Sequence, residues 1–294
     1  MALMPDPQHQ PEGSEKAAKS EAVGEIGDWT AGYLRRHPKT SLETVGEQFI
    51  LGIRAIQWMI VDIFTRRFPF VEFVEQAAFM TRTAVLPTLL VTIPIGVTLS
   101  VQFQLLAGQV GATSLAGAAS GLTVIRQGAP LVAAILMASA VGSAICADLG
   151  SRRIRDEIDA MEVMGVQVVR RLVSPRLAAG MVVAVALTGF TCFVGFLAGY
   201  IFNTFVQHGT PGSFLATFDS FATDGDFILT IIKAAVFGAI VTIVGCQKGL
   251  SAKGGPGGVA NAVNASVVAS ILLLMIVNVV FTQVYELAFP RQGF

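Results

Sequence analysis

The stretch DLGSRRIRDEIDAMEVMGV, residues 148–166, decides how this chain is read. From Asp148 to Arg171 the sequence places ten of its 40 formal charges within 24 residues. On either side charge nearly vanishes. No Asp, Glu, Lys or Arg occurs in 127–147, and none follows from Leu177 until Asp219. The flanks are long enough to cross a bilayer, so the charged stretch reads as the polar connection between two spans.

Composition agrees. Of 294 residues, 53% are hydrophobic and 14% charged, where a soluble domain carries about 25% charge. Net charge is zero, without the clustered basic excess of a nucleic-acid binder. Cys146, Cys192 and Cys246 lie in or beside apolar runs with no CxxC pair and no neighbouring His. They read as small buried hydrophobes, and neither a disulfide framework nor a metal site is expected. No GxxxxGK[ST], HExxH or GxSxG occurs, so no catalytic residue is assigned and any ATP hydrolysis belongs to another chain.

The fold class that follows is an all-α membrane protein. Gaps between charges place five spans at roughly 83–107, 127–148, 177–206, 227–247 and 259–288. The small, Gly-rich 107–125 reads as an outer loop or short surface helix, with a sixth span as the alternative. Lys and Arg placement sets orientation. Nine precede the first span, six lie in 150–176 and two in 246–258, which puts 17 of 20 on one side. The expected topology is N-in, C-out in the cytoplasmic (inner) membrane. Lys233 is expected near the outer end of its span, snorkelling. Residues 1–40 are polar and read as a disordered cytosolic tail. In 41–68, Phe49, Ile53, Ile56, Ile60, Ile63 and Phe64 recur near spacings of three and four, opposite Arg54, Gln57, Asp62 and Arg66. An amphipathic helix in the inner interface is expected, with Trp58 and Arg66–Arg67 at headgroup level; a cytosolic helix packed on a partner is the alternative.

Within the charged stretch a helix over 151–165 is expected, with Ser151 as N-cap and Gly165 as C-cap. Ile154, Ile158 and Met161 would form one apolar ridge. Arg152–Asp156, Arg153–Glu157 and Arg155–Asp159 are opposite charges four apart, each supporting a helix by a few tenths of a kcal/mol. Two readings stay open. The ridge and its charged flanks suit docking of a cytosolic partner, or the helix is a solvated loop that only sets orientation. Half of the charges are acidic, and orientation needs only the basic ones.

Residues 142–179, GSAICADLGSRRIRDEIDAMEVMGVQVVRRLVSPRLAA, resemble the signature of the MlaE/YrbE permease family. The matching steps are Asp148-Leu149-Gly150, Glu157 to Glu162, Met164-Gly165 and Pro175-Arg176. The Gly-rich stretch 245–270 resembles the family's inner loop and the start of its last span. The resemblance runs over 41–290, one permease domain. Asp148 stands where Glu is commoner, Arg152–Arg153 replace a less charged pair, and Pro256–Gly257 interrupt an Ala-Glu step. These departures and the polar tail look more like actinobacterial YrbE proteins of A type.

The resemblance implies a permease subunit of an MCE-associated ABC transporter that moves lipids (fatty acids, phospholipids or sterols) across the cell envelope. The segment between spans two and three would be a coupling helix seated on an ATPase subunit, with Arg155, Asp156, Glu157, Ile158, Asp159, Met161 and Glu162 transmitting its motion. This chain would hold no cofactor, ATP and Mg being bound by the ATPase partner. A second YrbE-type permease, in a heterodimer, and an assembly of MCE-domain proteins would complete the complex. The first span contributes Pro87, Val91, Pro94, Ile95, Thr98 and Gln102 as candidate lipid-pathway residues, since prolines open helices and nearly charge-free spans suit an apolar cargo. Asn261, Asn264, Ser266 and Ser270 read as interhelical hydrogen-bonding groups, and Asn278 needs a partner. Two other classes compete: a secondary transporter, which calls for paired intramembrane charges or an inverted repeat that five spans do not divide into evenly, and a scaffold that recruits a cytosolic protein.

Overall fold

The computed structural model describes residues 46–66, 68–109, 111, 116–206 and 211–288. The expected tail at 1–40 lies outside them, as do 41–45 and Arg67 of the expected interfacial helix. The chain divides into two compact units, 1–50 and 51–294. Of the first, 46–50 are described and helical. The second holds everything that follows.

Every regular element among the described residues is helical. Helix α1 (46–64) precedes α2 (Phe70–Gln109). Next come α3 (Ala116–Thr123), a π-helical turn at Val124–Gly128, α4 (Ala129–Leu136), a second π turn at Met137–Gly142, and α5 (Ser143–Ile154). After α6 (Glu157–Val163) and a third π turn (Val169–Val173) stand α7 (Ser174–Phe205), α8 (Pro211–Phe221), α9 (Asp224–Leu250) and α10 (Gly255–Ala288). Five stretches are long and apolar enough to cross a membrane: Phe70–Gln109, Ala119–Ile154, Val169–Phe205, Asp224–Leu250 and Gly255–Leu287. The expected five spans are therefore present. Each helix outruns its uncharged segment because backbone hydrogen bonding continues through turns that carry Glu72, Glu75 and Arg82, or Arg152 and Arg153.

Short helices stand in two stretches between the expected spans, one of which, 107–125, reads in the sequence as an outer loop or short surface helix. In 107–125, α3 leads directly into the second span. In 207–226, α8 sets Phe214 and Phe218, four residues apart, against Phe196 of α7, with ring centroids 5.6 and 4.7 Å away. Gly117 and Gly121 of α3 leave the space that these rings occupy. The aromatic pair at helical spacing was the available signal.

The long helices pack through small residues. On α2 the buried positions Met80, Ala84, Thr88, Thr92, Gly96 and Ser100 recur every fourth residue. The stripe meets α7, where Ser100 Oγ donates to the Gly199 carbonyl at 3.2 Å. Helix α2 continues through Pro87 and Pro94. Thr88, Thr92 and Thr98 hydroxyls donate to the carbonyls of Ala84, Thr88 and Pro94, four residues back, which adds hydrogen bonds around the two breaks in the ladder. Between α7 and α9 the backbones nearly touch: a Cβ on Gly238 would lie 2.5 Å from the Gly180 carbonyl oxygen and 2.6 Å from Ala184 Cβ. Such closeness is how apolar helices associate where lipid is as apolar as leucine. Around these contacts Met137, Val141, Ile145, Leu149, Leu177, Phe237, Val241 and Leu274 form the core.

Three local expectations are corrected. Ser266 and Ser270 are buried, yet their hydroxyls find no partner, and Asn261 and Asn264 are exposed. The serines act as small packing residues instead. In α1 the apolar residues Ile53, Ile56, Ile60 and Ile63 are exposed, while Asp62 from the polar side is buried at 2%. Of the polar side only Asp62 turns inward, where Arg170 supplies its partner, while Arg54, Gln57 and Arg66 stay exposed. Lys233 does not snorkel; it is 0% exposed.

Candidate functional site

The charged stretch is built differently from a single capped helix. Helix α5 carries on through Ser151 to Ile154, so Ser151 is not an N-cap. The break falls at Asp156, which adopts left-handed backbone (φ 57°), a conformation that Asp and Asn tolerate better than most. Helix α6 starts there as a separate seven-residue element. Its end matches expectation. Gly165 has φ 76°, its N–H donates to the Glu162 carbonyl at 3.0 Å, and the Val166 N–H reaches the Met161 carbonyl at 3.0 Å. This 6→1 and 5→2 pair is a Schellman cap, and it needs glycine at the left-handed position.

The break at Asp156 rewrites the ion pairs. The three expected four-apart pairs are replaced by Arg152 with Asp148 (3.3 Å), Arg153 with Asp159, and Arg155 with Glu157 (2.8 Å). Two helices set at an angle no longer stack residues four apart. The apolar ridge changes as well. Ile158 is 2% exposed and packs inward, and Met161 is half-buried. Arg155, Asp156, Glu157, Asp159 and Glu162 are exposed. Ile154 of the expected ridge stays at the surface (36%), but the most exposed apolar groups are Val163 (89%) and Met164 (70%), which that ridge did not include. Residues at the end of a short helix fall outside a helical period long enough to betray them.

The connection is tied down at its base. Arg176 is buried, and its guanidinium donates to Asp148 and, through Nε, to Gln76 Oε1 at 3.3 Å. Arg170 reaches buried Asp62 by a bidentate pair at 2.6 and 3.0 Å and lies 5.1 Å from the Trp58 ring centroid. Arg171 pairs with Glu72 at 2.6 Å. Bidentate Arg–carboxylate contacts fix direction as well as distance. On the other side, Gly150 faces Val259 and Ala252; a Cβ there would come within 3.1 Å of Val259. The two sequence stretches that carry the resemblance therefore meet in space. Asp148-Leu149-Gly150 sits between Arg176 and the turn joining α9 to α10.

The candidate pathway residues share the opposite face of α2 from its packing stripe. Val91, Pro94, Thr98 and Gln102 are exposed, and Pro87 and Ile95 half-buried. An apolar hollow of about 330 Å³ adjoins this region, lined by Ile93, Val97, Val194, Leu197, Ile201 and Phe205 among others.

A polar cluster between the spans escaped the sequence reading. Arg126 pairs with Asp226 at 2.7 Å, although the two are 100 residues apart. Tyr285 Oη donates to Asp226 at 3.1 Å, and the Thr223 N–H does so at 3.3 Å. Lys233 Nζ donates to Asn278 Oδ1 at 3.3 Å and to Thr282 Oγ1 at 3.0 Å, which supplies the partner Asn278 needs. Lys233 and Asn278 each stood out in the sequence, but not their pairing with one another or with Arg126, Asp226 and Tyr285, which come from separate helical segments. Among the described residues no group of His, Cys, Asp and Glu is arranged to hold a metal.

The chain is similar in sequence to known membrane permeases. Residues 73–284 match the family described as Permease MlaE. The chain is 33% identical over 168 residues to a probable ABC transporter permease of Synechocystis sp., covering 57% of this chain and 64% of that protein. It is 27% identical over 164 residues to a probable ABC transporter permease of Rickettsia bellii, 56% and 63% of the two chains. The chloroplastic protein trigalactosyldiacylglycerol 1 of Arabidopsis thaliana is 25% identical over 191 residues, 65% of this chain and 55% of that one. In each case the match spans less than two thirds of the relative's own length. The family match runs from the first membrane-length helix into the last, and with five such helices this multi-pass chain belongs to the MlaE permease family.

Proposed function

We propose that this chain is the transmembrane permease subunit of an ABC transporter that moves lipid across the cell envelope. Its α6 element seats on a separate ATPase that binds ATP and Mg. The observation that carries this reading is the α6 connection itself. A short connection with exposed charges on Arg155, Glu157, Asp159 and Glu162 is held between two membrane-length helices, anchored inside by Ile158 and at its base by Arg176. A partner pressing on such an element moves α5 and α7 with it. Val163 and Met164 give that partner an apolar foothold beside the charges. The names of the cyanobacterial and rickettsial relatives support the transporter class, and the Arabidopsis relative bears the name of a glycerolipid, which supports a lipid cargo.

In this reading the N-terminus and α6 are cytosolic and the chain lies in the inner membrane. A second YrbE-type permease packs on the exposed face of α2, closing Pro87, Val91, Pro94, Ile95, Thr98 and Gln102 around the lipid path. An MCE-protein assembly stands on the side of α8. Replacing Glu157 and Asp159 together by lysine is expected to leave membrane insertion intact and to lower co-purification of the ATPase by about tenfold or more, since like charges across an interface cost several kcal/mol. Undiminished co-purification would remove α6 from the docking role. Orientation is checked separately. In intact cells a membrane-impermeant thiol reagent is expected to label Gly212→Cys and to leave Asp156→Cys unlabelled; the reverse pattern would invert the topology.

A further inference from the structure

We infer that the polar cluster between α3, α9 and α10 is a binding site for the anionic headgroup of an amphiphile, with Lys233 as its charge. The cluster borders a cavity of about 440 Å³ lined in part by Leu122, Arg126, Gln127, Leu229, Lys233 and Thr282. That volume lies within the range of ligand pockets. Its two inner charges are not equivalent. Arg126 is neutralised by Asp226, whose carboxylate also accepts from Tyr285 Oη and the Thr223 N–H. Lys233 is fully buried, and its Nζ touches only the neutral oxygens of Asn278 and Thr282; among the described residues it makes no ion pair. Glu286, the remaining acid at the cavity, is exposed at its rim and makes no ion pair with Lys233.

A buried ammonium with neutral partners lacks the counter-charge that would compensate its removal from water, and an ionisable side chain in a membrane span marks a site. Two features favour a ligand as the source of that counter-charge. Lys233 is among the residues that line the cavity, and its two neutral partners leave one of its three protons free. On the same wall the Arg126 Nε–H is buried without an acceptor. A carboxylate or phosphate placed between them satisfies both donors, while Leu122 and Leu229 face the first carbons of its chain. A neutral sterol hydroxyl can accept hydrogen bonds here but supplies no counter-charge. The site therefore selects acidic-headed lipids.

This inference rests on the lipid-permease reading, and its test separates the two. The full complex, in phosphatidylcholine nanodiscs, is exposed to photoactivatable hexadecanoic acid or to the matching hexadecanol, and adducts are mapped by mass spectrometry. The acid is expected to label the cavity about tenfold more than the alcohol, as a charge-assisted contact provides. Lys233→Gln should erase the preference and Lys233→Arg should keep it, with millimolar inorganic phosphate leaving it unchanged. Equal labelling of the unaltered protein by acid and alcohol, or an intact preference in Lys233→Gln, overturns the site. Abolition by phosphate reassigns it to a free anion and overturns the headgroup. Labelling needs no nucleotide, so an intact preference without ATP-driven lipid movement would sink the transporter reading and leave the site standing.

Discussion

Asp148→Leu is expected to destabilise the protein by about 3 kcal/mol, because it strands the buried Arg176 guanidinium. Arg176 has Asp148 as its carboxylate, and its other side-chain partner is the neutral Gln76. Its Nη1 already lacks an acceptor, so the site has no spare capacity to absorb the loss. Three further variants separate charge from shape. Asp148→Glu keeps the carboxylate and should cost less than about 1 kcal/mol. Arg176→Met alone leaves Asp148 half in water and paired with Arg152, so it should cost less than Asp148→Leu. The double variant Asp148→Leu/Arg176→Met should recover much of the loss, since two apolar residues can replace an ion pair when neither charge remains. Thermal unfolding in detergent, followed by the surviving monodisperse fraction, reads all four. Additive losses in the double variant would show that the pair is not coupled.

Gly238→Val should be at least as damaging, at about 3 kcal/mol or more, through overpacking. Its first added carbon would meet the Gly180 carbonyl oxygen at 2.5 Å and Ala184 Cβ at 2.6 Å. Neither is the end of a flexible side chain, so the helices themselves must part. Separating α7 from α9 also opens the core around Phe237 and Val241. Gly212→Val, at an exposed position of α8 with nothing within 4 Å, is the control and should be close to neutral. Resistance to proteolysis in nanodiscs would report the loss, and equal resistance of Gly238→Val and the control would refute the close crossing.

Much of this was legible in the chain itself. Charge-free segments predicted five spans because the bilayer core tolerates few ionised groups, and the spacing of Met164-Gly165 predicted the end of α6 because only glycine enters that cap readily. The exposed charges of α6 and the exposed residues of α2 were readable as residues, though not as surfaces.

What the tertiary structure alone decided are matters of pairing across distance. Asp156 takes a left-handed turn, so the arginines of α5 find acids other than those four residues away. Ile158 turns inward although it is as apolar as its exposed neighbours Val163 and Met164. Asp62 and Lys233 are buried because Arg170 lies 108 residues from the first, and Asn278 and Thr282 lie 45 and 49 residues from the second. Local sequence determines which segments leave water, since that depends on composition along a few turns. It cannot determine which polar groups leave water with them, since that depends on a partner supplied by another helix.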